Sequence, residues 1–226
     1  MSNNARRIII AGAGRFGREI EAWLKTYGGY DIAGFVDDIS NAPDVISGIA
    51  DHEGVDGCEY VVAIGSGAGR LKVARLLENK GCRVATVISP HALLAQDYER
   101  APGAMILGNC SVSSSVVFGR GVLVQGFACV GHDVTLGDGV TVSSHAFIGG
   151  GAHIGEGATL HPSSVVLPDV HVGKYAVVGA GTVVTHNVEA GTTVFGNPAK
   201  LLVRHAKTAE PANAVATTPA PRSDLH

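Results

Sequence analysis

The sequence predicts a two-part fold, a small α/β domain followed by an all-β coil of short strands. Three observations carry this reading. Up to about residue 88, short apolar runs alternate with helical patterns. From Ile106 to Val184, an apolar residue recurs at every sixth position without a gap. The chain also has 31 Gly among 226 residues but only 5% aromatics, so its backbone turns often and stacks small aliphatic side chains.

In the first part, Arg7–Ala11 reads as a buried strand running into Gly12-Ala-Gly-Arg-Phe-Gly17. Ile20, Trp23 and Leu24 then fall on one face of a helix over 18–27, opposite Glu19, Glu21 and Lys25. A second strand over 31–36 ends at Asp37-Asp38, a third over 60–64 ends at Gly65, and a fourth spans 83–88. Between the last two, Leu71, Ala74, Leu76 and Leu77 mark a helix over 70–79, with Gly81 as its C-terminal cap. Strands and helices alternating at this spacing imply a small parallel sheet covered by helices.

The second part fits neither a helix nor a plain alternating strand. A period of six fits a coil that turns a corner at every hexapeptide, with the recurring apolar residue inside. Four residues after most of these comes a small or β-branched residue, from Cys110 to Thr182. Gly119, Gly131, Gly137, Gly149, Gly155, Gly173 and Gly179 are expected to ease the corners. Thr208–His226, rich in Ala, Pro and Thr, reads as a disordered tail, and residues 201–206 as a short helix before it.

The bulk properties mostly exclude. A net charge of −3 gives no basic footprint for nucleic acid or an anionic membrane. The apolar stretch Ile8–Ala13 is too short to span a bilayer, and no small-residue cleavage site follows it. Cys58, Cys82, Cys110 and Cys129 have no metal-binding or disulfide-framework spacing. A reduced, cytoplasmic protein is expected.

Gly12-x-Gly14-x-x-Gly17 after a strand suggests a dinucleotide fold, although about 85 residues hold only half of a doubly wound sheet. Asp37 or Asp38 suits a ribose hydroxyl, a uridine or a sugar amine. A nucleotide-linked sugar is favoured over NAD, with purely structural turns as the third reading.

The hexapeptide pattern resembles the left-handed parallel β-helix of the hexapeptide acyltransferases, in which three hexapeptides make one triangular turn. Ile106, Val124, Val142, Leu160 and Val178 would then share one wall. Such a coil departs from the right-handed crossover rule. Read with the first part, the chain is more narrowly similar to the sugar O-/N-acetyltransferases of the sialic acid O-acetyltransferase and bacillosamine-pathway acetyltransferase family. The matching residues, in order, are Gly12–Glu19, Gly34–Asp38, Ala63–Gly65 with Arg70, Gly131-His-Asp133 and Gly196–Lys200. The resemblance spans roughly residues 6–203.

The resemblance implies a Rossmann-like acceptor domain over 1–88 and a β-helical acyltransferase domain over 89–203, leaving 204–226 as tail. It assigns acceptor contacts to Gly14, Arg15, Phe16, Asp37, Asp38 and Gly65. It implies acetyl-CoA as co-substrate, held between the coils of a homotrimer by Thr141, Gly150, Pro162 and Ala180. Many relatives carry His where this chain has Phe16 and Thr141. His132 follows an inward residue at a corner, so its imidazole can point outward, and histidine suits proton removal near neutral pH. The family pattern makes His132 the base, Asp133 its partner and the Gly150 amide the oxyanion donor. His145, His153, His161, His171 and His186 read as solvated corner or wall residues. No His-x4-His pair occurs, so no metal is expected. Cys110 and Cys129 read as small apolar residues before nucleophiles. The expected activity is N-acetylation of a nucleotide-linked amino sugar by direct attack. O-acetylation of sialic acid or a related sugar, or a non-catalytic trimeric sugar-nucleotide-binding module, are the alternatives.

Overall fold

The computed structural model describes residues 5–95, 99–100 and 102–204; the expected disordered tail lies outside these, except for Arg204. A five-stranded parallel sheet, ordered β3-β2-β1-β4-β5, comes first. Its strands are β1 (Arg6–Ala11), β2 (Tyr30–Val36), β3 (Val45–Ser47), β4 (Cys58–Val62) and β5 (Arg83–Val84). Helices α1 (Arg15–Tyr27) and α2 (Gly67–Asn79) flank it. The strand alternation sends Ile8 and Ile10 into one cluster with Ile20 and Leu24 of α1. It sends Ile9 and Ala11 into another with Ala74 and Leu77 of α2. Each buried Ile or Leu among them contributes about 1.5–3 kcal/mol by burial, so β1 anchors both layers.

Both helices begin one turn earlier than their apolar faces suggest. Gly14 supplies the extended residue before α1, and the Ser66 hydroxyl accepts the Gly69 N–H before α2. β3 is short and carries no periodic signal, so the sequence gives no sign of a strand there. The expected fourth strand divides. The Ala85 N–H donates to Tyr60 O in the sheet, whereas the Val87 N–H donates to Ala104 O, already in the coil.

The second part is a left-handed β-helix of two-residue strands with a rung-to-rung register of 18 residues. One wall stacks the strands ending at Ile88, Ile106, Val124, Val142, Leu160 and Val178, and then Thr192–Phe195. A second wall stacks those ending at Leu94, Val112, Val130, Ile148, Val166 and Val184. The third runs from Glu99–Arg100 through Phe118, Leu136 and Ile154 to Val172. The sixfold apolar residues and the small residues four places later form one continuous core.

The glycines expected at the corners do a different job. None of those seven has a positive φ. A Cβ on Gly137 would lie 2.7 Å from Glu156 N, and one on Gly149 would lie 2.5 Å from Pro168 N. They let successive rungs approach. Positive φ falls instead at Ser115, Gly121, Phe127, Asp133, Gly139, His145, Gly151, Gly157, Ser163, Asp169, Tyr175 and Gly181. Those positions are six apart and are the second central residue of each tight turn.

Residues 201–204 are strand and not helix. Lys200–Arg204 pairs antiparallel with Thr192–Phe195, because that strand offers an unpaired edge at the end of the first wall. The two domains pack directly: Met105, Leu107 and Leu123 of the first wall complete the cluster of Ile8, Ile10, Phe35 and Val61. The Arg120 guanidinium donates to Glu78 of α2 at 2.5 Å.

Two stability predictions follow from this packing. At Gly155 a Cβ would meet Lys174 N at 2.7 Å, while at Gly181 it would meet open space at φ +66°. Gly155→Ala should therefore cost about 3 kcal/mol. Gly181→Ala should cost only about 1–2 kcal/mol of backbone strain. Urea unfolding of the two variants checks this, and equal losses would refute the close-approach role. The Ser164 hydroxyl is buried in the coil core with no hydrogen-bond partner among the described residues, one rung above Ala146. Ser164→Ala should raise stability by about 1 kcal/mol, read as a higher midpoint in the same titration.

Candidate functional site

His132 and Asp133 occupy the corner between the second and third walls, right after Val130-Gly131. Asp133 is the positive-φ residue of that turn, at φ 57°. Its carboxylate Oδ2 meets His132 Nδ1 at 2.7 Å, a contact that adjacency in sequence did not guarantee. Both side chains are about two-thirds exposed, at 66% and 64%. With Nδ1 facing the carboxylate, Nε2 is the nitrogen left to exchange a proton with a bound molecule.

Gly150 sits one rung further along the same corner. A Cβ there would lie 2.6 Å from His132 Nε2, so the imidazole lies over the glycine. The Gly151 N–H donates to His132 O at 2.8 Å and ties the two rungs together. The Gly150 N–H itself donates to nothing among the described residues. An imidazole, a carboxylate and a spare N–H donor thus stand together at one corner.

The other residues expected to hold acetyl-CoA are not there. Pro162 and Ala180 are exposed and stack on successive rungs of the corner between the first and second walls. Thr141 is buried on the first wall, where its hydroxyl accepts from Arg70 Nη2 at 2.8 Å. That hydroxyl holds a neighbouring domain and does not face solvent.

The residues expected to contact the acceptor gather at the C-terminal edge of the parallel sheet, the usual ligand edge of such sheets. Gly12 has φ +108°, and a Cβ on it would strike Ala63 O at 2.8 Å. Gly17 lies against Gly12 O, where any side chain would clash. Gly14 and Arg15 are exposed at the start of α1, and Phe16 is half-buried against the α1-side core. Burial alone would raise the Asp37 carboxyl. Backbone N–H groups of Ala13, Ser40 and Ile39 outweigh it and hold Asp37 below the usual carboxylate range. Asp37 therefore braces the glycine loop, while the exposed Asp38 accepts one backbone N–H, from Ala50. Gly65 is exposed, and its carbonyl accepts from Arg70. A cavity of ≈ 480 Å³ is lined by Asp37, Asp38, Ser40, Ser47 and Asp51. No hydrogen bond or ion pair among the described residues links this edge to His132.

Cys110 lies in the inward slot expected for it, its thiol pushed up to about 11 by burial. Cys129 is exposed. Among the described residues, no three His, Cys, Asp or Glu side chains converge as metal ligands. No described helix is long and apolar enough to cross a membrane.

Comparison with known proteins follows this division of the chain. The PglD N-terminal domain family matches residues 7–77, and the bacterial transferase hexapeptide family (six repeats) matches residues 151–186. The acetyltransferase domain of PglB from Neisseria gonorrhoeae is 28% identical at a TM-score of 0.79, covering 87% of this chain and 100% of that one. A histidine-to-alanine variant of GDP-perosamine N-acetyl transferase from Caulobacter crescentus, in complex with CoA and GDP-perosamine, is 25% identical at a TM-score of 0.81. It covers 87% of this chain and 96% of that one. WeeI from Acinetobacter baumannii is 27% identical at a TM-score of 0.68, covering 87% and 100%. No curated protein matches. These likenesses support the hexapeptide acyltransferase family and mark the chain as an acyltransferase.

The crowding at Gly150 yields a direct check on the site. Gly150→Ala should push the exposed His132 ring away and break its bond to Asp133 while leaving the coil folded. The expected outcome is a shift of the His132 ring signals in NMR with an unfolding midpoint near the parent's. Unmoved ring signals would show that the imidazole does not lie over Gly150.

Proposed function

We propose that this acyltransferase moves an acetyl group from acetyl-CoA to the amino group of a nucleotide-linked amino sugar. The observation that carries the reading is the His132 Nδ1 to Asp133 Oδ2 contact of 2.7 Å, which leaves Nε2 facing outward over Gly150. His132 Nε2 removes a proton from the acceptor nitrogen as that nitrogen attacks the thioester carbonyl. Asp133 fixes the ring and stabilises the imidazolium that forms. The Gly150 N–H receives the developing oxyanion. Collapse of the tetrahedral adduct breaks the carbon–sulfur bond, and His132 returns its proton to the departing CoA thiolate. Amide and thiol are the products, and every proton is accounted for.

An amino acceptor is chosen because the related Caulobacter enzyme carries GDP-perosamine, a nucleotide-linked amino sugar, beside CoA. Gly14, Arg15, Phe16, Asp37, Asp38 and Gly65 would line the acceptor site at the sheet edge, with Asp37 bracing the loop. Within one chain this edge packs beside the first wall, while His132 stands at the opposite corner. A homotrimer would bring a neighbour's acceptor edge, and Pro162 and Ala180 as CoA contacts, towards the His132 corner.

The test is CoA-thiol release with UDP-, dTDP- and GDP-linked amino sugars and with free sialic acid. Turnover is expected with an amino sugar nucleotide. His132→Ala should lower it by about 10²–10⁴-fold. A loss of less than about tenfold would remove His132 as the base. Turnover of sialic acid alone would shift the reading to O-acetylation.

A further inference from the structure

Arg70 is only 1% exposed, yet no carboxylate among the described residues pairs with it. Burial pushes its guanidinium down to about 10. All of its partners are neutral oxygens, drawn from three separate segments. Nη1 donates to Ile64 O at 3.0 Å and Gly65 O at 2.8 Å, in the loop after β4. Nε donates to Gly121 O at 2.9 Å. Nη2 reaches Gly139 O and Val140 O, each at 3.2 Å, and Thr141 Oγ1 at 2.8 Å. The same turn of the coil, some residues earlier, carries His132 and Asp133.

We propose that Arg70 is a positioning residue for transfer: its buried fork locks the Gly65 loop of the acceptor domain onto the coil turn that carries His132. The inference rests on the acetyl-transfer reading above. Apolar packing at Met105 and Leu123 holds the domains together, but such contacts are non-directional and do not by themselves specify one relative rotation. A planar guanidinium with five fixed N–H vectors removes that freedom, because its acceptors lie on both sides of the domain boundary. A lysine, donating from one atom, cannot span them. Close contact of Gly67 with Gly139 O at the start of α2 sets the approach that the fork then pins. Thr141 belongs to this lock, and its tie to Arg70 accounts for a hydroxyl at a buried wall position.

Arg70→Lys and Thr141→Val test this by steady-state CoA release, varying the acceptor and acetyl-CoA separately, with amide exchange followed by mass spectrometry. Arg70→Lys should lower kcat/KM for the acceptor at least about tenfold and leave the acetyl-CoA KM within about twofold. Exchange should quicken in peptides covering residues 63–67 and 138–141. Thr141→Val should act in the same direction by about threefold, and it decides the matter if Arg70→Lys does not fold. Unchanged acceptor kinetics with unchanged exchange would overturn the proposal. So would a rise in the acetyl-CoA KM alone, which would place Thr141 at the co-substrate instead. If the parent transfers to no acceptor, the functional reading fails, and the exchange measurement alone decides whether Arg70 is the lock.

Discussion

Everything in the coil depends on backbone hydrogen bonds between rungs that repeat every 18 residues. Parallel strands in this arrangement stand about 4.7–4.9 Å apart, and that spacing leaves little choice of side chain at several positions. The inward residue must be apolar, because each rung buries it against the next. The residue directly after it must be small wherever the following rung's backbone crosses overhead, as at Gly137 and Gly149. The second turn residue must accept a left-handed backbone whether or not it is glycine. At Phe127, His145 and Tyr175 it is a bulky residue. Such residues cost about 1–3 kcal/mol each in isolation, and the ladder of rung-to-rung bonds on both sides holds them there.

The candidate site draws on the same constraint. Asp133 occupies a left-handed position that recurs at the corners from Ser115 to Gly181, and its carboxylate meets His132 Nδ1. Gly150 answers the rung spacing twice. Its backbone lies over Gly131, where a Cβ would meet Gly150 N at 2.6 Å, and its missing side chain leaves room for the imidazole. An imidazole, a carboxylate and an N–H donor therefore converge with no loop built for the purpose. Rigid rungs give such a site more precise geometry than a flexible loop would.

The coil was legible in the sequence because a one-dimensional repeat leaves a one-dimensional signature. Ile106, Val124 and Val142 stack on one wall as their spacing implies. Less legible was anything set by contact between distant segments. The corner glycines resemble turn residues because composition cannot separate a turn that needs positive φ from a rung that needs room. The strand over 83–88 divided because its two halves find partners on different sheets, Tyr60 and Ala104. Residues 201–206 looked helical by local propensity, but an unpaired edge at the coil's end recruited 200–204 as a strand. At the site, His132 and Asp133 could be picked out from motif and corner position. The burial of Thr141 could not, since it depends on a helix some 70 residues earlier in the chain.

Arg70 did leave a trace that could have been followed. It falls on the helical face of Gly67, Leu71, Ala74 and Leu77, all buried in α2, so a charged residue sits in phase with the apolar stripe. Charge on a buried face demands compensation, and here the compensation is a set of backbone carbonyls from both domains. Carbonyl dipoles offer no bidentate carboxylate, so they provide less charge balance than an ion pair but more points of attachment. An ion pair would fix one contact, as Arg120 and Glu78 do near the surface. Six neutral acceptors on three segments instead tie α2 to the loop after β4 and to two successive rungs of the coil, which a single surface ion pair does not.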